Sequence, residues 1–150
     1  MGANCESFQS AADKFWERFD RGLEIVLATS ADNIVTARTV SAIALNGKVY
    51  FLTFEGSTKL AQIRQNPSVA MCHFDLHMRG TAKILGGLEK SESAAAHSAL
   101  RAAFPKDMEM FGQIPGVVLV EVVPAAGGFG RVSTGGMFIL DFETKTASRI

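Results

Sequence analysis

Residues 36–80 read TARTVSAIALNGKVYFLTFEGSTKLAQIRQNPSVAMCHFDLHMRG, and the order of signals in this stretch decides the fold. A strand-forming run, Ile34 to Leu45, ends at Asn46-Gly47, the strongest short hairpin signal in the chain. Lys48 to Phe54 follows as a strand with two apolar faces, Val49/Phe51 on one and Tyr50/Leu52/Phe54 on the other. A strand apolar on both faces is covered on both sides, here by a barrel interior and by a helix or second subunit. Gly56 to Asn66 then predicts a short helix, with Ser57 as N-cap and Pro67 as its stop. Extended chain resumes at Ser68 to Asp75 and at His77 to Leu88.

Outward from this stretch the pattern stays one of short strands with few helices. Phe8, Ala12, Phe15, Trp16 and Phe19 recur at three- and four-residue steps, predicting an amphipathic helix over Phe8 to Phe19 that Gly22 ends. Leu23 to Ser30 is the first strand, closed by the turn formers Ala31-Asp32-Asn33. Glu89 to Phe104 is alanine-rich and reads as a helix that packs close to a neighbour. Gly116 to Val123 is a strand of valine and leucine. Phe129 to Val132 and Met137 to Phe142 complete the sheet, with Gly127-Gly128 and Gly135-Gly136 as breaks. Residues 1–150 read as a single, mainly β domain with flanking helices and six to eight strands, a barrel or sandwich.

Composition narrows the function. Hydrophobic residues at 47% against 20% charged residues describe a chain with a real core. Lys+Arg and Asp+Glu balance at 15 each, so the cationic excess of a general nucleic-acid or membrane-surface binder is missing. One local cationic pocket for a single phosphate is still compatible with that balance. Met1 to Ser10 lacks a signal-peptide pattern, and no apolar stretch nears the ~20 residues that span a bilayer, so the expected location is cytoplasmic. Cys5 and Cys72 have no metal or redox spacing; the expectation is one exposed thiol and, in the apolar run around Cys72, one buried thiol. His73 and His77, four apart in extended chain, would share a face ~13 Å apart, too far for one metal; no metal site is expected.

Two features carry chemistry. Arg38 sits in a strand among Ala37, Thr39 and Val40, a setting arginine seldom occupies without an anionic or carbonyl partner. Gly56-Ser57-Thr58-Lys59 opens a helix, where free N–H groups, two hydroxyls and an ammonium suit a phosphate. Glu55 would oppose an anion there unless it points away. Arg79, beside Gly80, is a candidate second cation, and Arg131 lies in a glycine-rich stretch near the end. No local motif marks a catalytic side chain.

The ordered pieces Arg-Thr-Val-Ser, Val-Tyr-Phe-Leu-Thr-Phe, Gly-Ser-Thr-Lys, an Asn-Pro helix stop and the Gly80/Ala82 strand resemble the pyridoxamine 5'-phosphate oxidase-like FMN-binding split-barrel family over residues 10 to 88. The resemblance implies a split β-barrel and FMN as cofactor. It implies that Arg38 and the backbone of Thr39, Val40 and Ser41 lie along the flavin. Thr53 and Phe54 would border the ring and ribityl chain, and Ser57, Thr58 and Lys59 would hold the phosphate. It also implies a homodimer with the cofactor at its interface, and a flavin-dependent oxidoreductase acting on a small substrate. The C-terminal arginine-x-histidine pattern of the vitamin-processing oxidases is replaced by Arg131-Val132-Ser133, which argues against that particular reaction. A non-catalytic flavin or haem binder of the same fold, a deazaflavin-dependent reductase and an unrelated small-ligand barrel are the alternatives.

Overall fold

The computed structural model describes residues 5–87 and 90–150. Its elements run α1 (Cys5–Glu17), β1 (Leu23–Ala31), β2 (Ile34–Leu45), β3 (Lys48–Phe54), α2 (Thr58–Gln65), β4 (Ser68–His73) and β5 (Leu76–Gly86). After these come α3 (Ala94–Ala103), α4 (Pro105–Phe111), β6 (Val117–Arg131), β7 (Gly136–Asp141) and β8 (Thr146–Arg149). All eight strands form one antiparallel sheet ordered β3-β2-β1-β4-β5-β6-β7-β8, which closes on itself because β3 also pairs with β6. Six strands therefore make a barrel, and β7 and β8 extend the sheet beyond it. This is the split barrel with flanking helices that the sequence predicts.

Alternation along the strands fills the barrel. Ile25 and Leu27 of β1, Val49 and Phe51 of β3, Met71 of β4, Met78 of β5 and Val120 and Val122 of β6 all point inward and are buried. One end is stopped by α1, whose Phe15 is fully buried and whose rings pack edge-on or tilted against each other and against Phe142. Arg18, just past α1, fixes that docking. Its guanidinium pairs with Asp75 at 3.0 Å and donates to the His73 carbonyl at 3.1 Å, while Asp75 also accepts from the Gly130 N–H at 2.8 Å. The Arg18 bond first, then the Gly130 N–H, holds the Asp75 carboxyl below the usual carboxylate range.

The double-faced strand β3 behaves as predicted. Its outward Leu52 joins a second cluster with Ile43, Leu119, Ala96 and Leu100 beneath α3 and α4, so its second cover is a helix pair of the same chain. Tyr50 packs against that cluster and donates to Glu121 at 2.9 Å. Burial first, then the Glu121 bond and charge, pushes the Tyr50 hydroxyl up to about 12 and keeps it a donor at physiological pH.

Several expectations change. Gly127 and Gly128 do not break the last long strand; β6 runs unbroken from Val117 to Arg131. A Cβ at Gly127 would lie 2.6 Å from the His77 oxygen and one at Gly128 2.5 Å from the Phe138 oxygen, so these glycines serve close backbone approach. The turn between the fourth and fifth strands falls at Phe74-Asp75, not after Asp75: Phe74, at φ +51°, reverses the chain, and His77 stands opposite Cys72, so His73 and His77 are not four apart along one extended run. Apolar Phe74 in the turn hid it. Cys72 is exposed, not buried, because Val69 and Met71 take the inward positions of β4. The chain between Phe104 and Gly116, given no element from sequence, holds α4, with Pro105 in its first turn as the missing donor allows. Strand β8, four residues long, was also not foreseen. The expected fifth-strand end at Leu88 and helix start at Glu89 fall outside the described residues, as does the side chain of Cys5.

Two substitutions test this architecture. Gly80 stands where the β5–β6 register shifts, and an added Cβ would meet the Val123 carbonyl oxygen at 2.3 Å. Gly80→Ala is expected to cost about 2 kcal/mol or more, lowering Tm by roughly 4–8 °C in a scan of unfolding. Leu100 is fully buried between α3 and the sheet. Leu100→Ala is expected to cost about 2–5 kcal/mol by urea titration; a near-neutral result would detach α3 from β3.

Candidate functional site

The barrel is split beside Arg38. β3 pairs with β2 only from Ala42 to Leu45, whereas on its other edge it stays on β6 from Val49 to Phe54. The half of β2 from Ile34 to Ser41 has β1 on one edge and, among the described residues, no strand on the other. Helix α2 packs on β1 near this opening, and the turn that starts it leads out of β3. The backbone of Thr39, Val40 and Ser41 thus lies along an edge that no strand covers.

Arg38 and Thr36 share the inward face of β2, opposite Leu27 and Thr29 of β1. The Arg38 guanidinium donates to the Leu27 carbonyl at 3.2 Å, to the Thr29 hydroxyl at 2.8 Å and to the Thr36 hydroxyl. Every one of these acceptors is neutral. Lys59, in the first turn of α2, is half-buried nearby. Burial first, then the positive charge of Arg38, pulls its ammonium below the ordinary lysine range. Burial likewise lowers Arg38. Among the described residues neither cation has a carboxylate within 4 Å. The two cations are thus left without an acidic partner among the described residues.

Glu55 is engaged elsewhere. It is exposed and held by Arg64 through two bonds, at 2.7 and 2.6 Å. Its carboxyl is lowered, first by the hydrogen bond from Arg64.

The other candidate residues divide by position. Ser57 is the N-cap of α2, as predicted; its Oγ accepts from the Leu60 N–H at 3.2 Å and lies 2.8 Å from the Thr53 hydroxyl. Both Ser57 and Thr53 are buried, so their hydroxyls build the turn. Thr58 is exposed at the helix start, and Phe54 is half-buried at the end of β3. The Val40 side chain belongs to the barrel core, while Thr39 and Ser41 face outward. Ser41 donates to Asp107 of α4. Arg79 lies on the outer face of the sheet in an apolar groove of about 420 Å³ with Val26, Ala28, Ala70 and Cys72, away from Arg38. Arg131 is exposed at the end of β6.

Sequence reasoning missed Gln62. It is buried on α2, and its amide joins Thr29, Thr36 and Ile34 around the Arg38 guanidinium. A polar residue on the covered face of an otherwise apolar helix side, beside Leu60 and Ile63, was the available signal. A cavity of about 640 Å³ lies elsewhere, between Trp16, the Asn46-Gly47 turn and the alanines of α3; the cation pair does not line it. Among the described residues no group of His, Cys, Asp and Glu could hold a metal. No helix among them is long and apolar enough to cross a membrane.

No family model matches the sequence, and no curated protein matches it. Solved structures do match. The pyridoxamine 5'-phosphate oxidase-related, FMN-binding protein of Nostoc punctiforme is 16% identical, with 99% of this chain and 96% of that one covered and a TM-score of 0.60. The heme storage protein HutZ of Vibrio cholerae is 13% identical over 82% of this chain and 96% of its own, with a TM-score of 0.64. ChuZ of Campylobacter jejuni is 14% identical with a TM-score of 0.75; 98% of this chain is covered but only 63% of ChuZ. At such identities the likeness is one of fold. The chain has the fold of the pyridoxamine 5'-phosphate oxidase-related, FMN-binding split barrels, the family that its sequence resembles.

Proposed function

We propose that this protein binds FMN at the opening between β2 and α2 and uses it as an oxidoreductase. The carrying observation is the half-buried Arg38–Lys59 pair with no carboxylate beside it. A phosphomonoester dianion fits that pair, since it would satisfy two charges at once. The uncovered edge of β2 from Ile34 to Ser41 gives a flavin backbone donors and acceptors to run along. The N-terminal turn of α2, with exposed Thr58, adds further N–H and hydroxyl groups. Bound FMN supplies hydride chemistry; the chain's own part is to hold the phosphate, orient the ring and set polarity around it.

We further propose a homodimer. The outer face of β1, β4 and β5 carries Val26, 41% exposed, with Ala28, Ala70 and Cys72 around the groove described above. Small side chains let a second copy's sheet approach closely, and the FMN site opens beside this face on β2. β3 gives no support for the dimer, because α3 and α4 already cover it.

The first test is the absorption spectrum of the purified protein with an FMN titration. Flavin bands and saturable binding are expected. A haem Soret band would shift the assignment to a haem binder, a deazaflavin spectrum to that cofactor, and absence of any flavin binding would remove the proposal. Steady NAD(P)H oxidation with an acceptor would establish turnover.

Lys59→Ala is expected to weaken FMN about 10- to 100-fold, the range for one charge-assisted contact. Without ligand this variant should unfold at the same temperature as the parent or higher, because a like-charge repulsion has gone. Ser57→Ala is a poor companion, since it also removes a cap worth about 1 kcal/mol. The pH profile carries the same signature. Affinity should rise through about pH 6 as the phosphate gains its second charge. It should fall again at alkaline pH, earlier than for an ordinary lysine, as Lys59 loses its proton. Lys59→Ala should abolish only the alkaline fall, because Arg38 stays charged. For the dimer, Ala28→Glu with Ala70→Glu should yield monomer by light scattering; an unchanged mass would place the interface elsewhere.

A further inference from the structure

The hydrogen bonds behind Arg38 have a fixed direction, and one residue sets it. Gln62 is buried, at 7% exposure, on the inner side of α2. Its Nε2 donates to the Ile34 carbonyl at 3.2 Å. A carbonyl can only accept, so the amide cannot be turned round without setting two oxygens against each other. Oε1 must therefore face the two hydroxyls, and it lies 2.5 Å from Thr29 Oγ1 and 2.6 Å from Thr36 Oγ1. Each hydroxyl has one proton, and both protons are spent on Oε1. The two oxygens are only 3.3 Å apart, yet neither has a proton left for the other. Their lone pairs are turned toward Arg38, whose Nη1 and Nη2 donate to Thr29 and Thr36 respectively.

We propose that Gln62 is the positioning residue that makes this site select a phosphomonoester over the same ligand without its phosphate. It acts through Thr29 and Thr36, which grip the guanidinium as two pure acceptors and prevent it from turning. Because the grip is made by neutral oxygens, the charge of Arg38 stays whole for the ligand, beside that of Lys59. A glutamate at position 62 would still accept from both hydroxyls, but it would lose the donor to the Ile34 carbonyl and cancel the charge. A leucine would fill the space and release both hydroxyl protons, which could then point at the guanidinium and oppose it. The ligand side of this inference rests on the FMN reading above; the arrangement of Arg38 does not.

The test has two arms on the full chain. In the first, ¹⁵N NMR of the arginine side chains without ligand should show restricted Nη resonances for Arg38 in the parent, averaged in Gln62→Leu. In the second, FMN and riboflavin are titrated against the parent, Gln62→Leu and Gln62→Glu. FMN affinity should fall about tenfold in Gln62→Leu and further in Gln62→Glu, with riboflavin affinity unchanged, so that the FMN-to-riboflavin preference collapses. A merely structural glutamine would lower both affinities together. Thr36→Val, which removes one acceptor at half-buried Thr36, should repeat the Gln62→Leu result if that variant does not fold. Restricted Arg38 resonances in Gln62→Leu, or an unchanged FMN-to-riboflavin ratio while Lys59→Ala lowers it, overturns the role of Gln62 and leaves the FMN site standing. Failure of the parent to bind FMN overturns the FMN site, and the first arm then decides Gln62 alone.

Discussion

Strand β6 is shared by three neighbours, and the rest of the structure depends on that sharing. Its first half lies between β3 and β5, closing the barrel, and its second half carries β7. β3 stays on β6 from Val49 to Phe54, but on its other edge it follows β2 only as far as the Ala42–Phe51 pair. The opening beside Arg38 begins where β3 parts from β2 while keeping its place on β6. A sheet that satisfied every edge of β2 would leave no place for a ligand along it.

The same geometry explains why the candidate site is polar where the barrel is otherwise apolar. Inward positions of β1 change from Ile25 and Leu27 to Thr29 as the strand reaches the opening, and those of β2 from Ala42 and Val40 to Arg38 and Thr36. Buried hydroxyls and a guanidinium need partners. Gln62 of α2 and the Leu27 carbonyl supply them without a carboxylate. Stability and charge are thus handled separately: neutral groups satisfy the hydrogen bonds, and among the described residues no carboxylate pairs with either positive charge.

Much of this was legible in the sequence. Asn46-Gly47 fixed one hairpin, and the two apolar faces of Lys48 to Phe54 foretold two covers. Ser57 was readable as a cap because its function is local. What escaped depended on distant chain. Gly127 and Gly128 look like breakers until His77 and Phe138 are brought against them. Phe74 does not resemble a turn residue, and its conformation is imposed where β4 and β5 pair on either side of it. Gln62 resembles any helix glutamine until β1 and β2 place three partners around it. Arg38 and Lys59 could each be singled out alone, but their mutual repulsion exists only in three dimensions.

The position of β6 late in the chain also shapes how the protein is made. During synthesis β1 to β5 leave the ribosome before the strand that completes them. Until Val117 to Val122 emerges, β3 has β2 on one edge but lacks β6 on the other, and Phe51 and Leu52 face water or one another's copies on neighbouring chains. The nascent barrel is an open sheet with an apolar edge for that interval. Slow elongation through the alanine-rich segment ahead of β6 would lengthen it, so overexpressed chains should depend on chaperones or low temperature more than the modest size of the protein suggests.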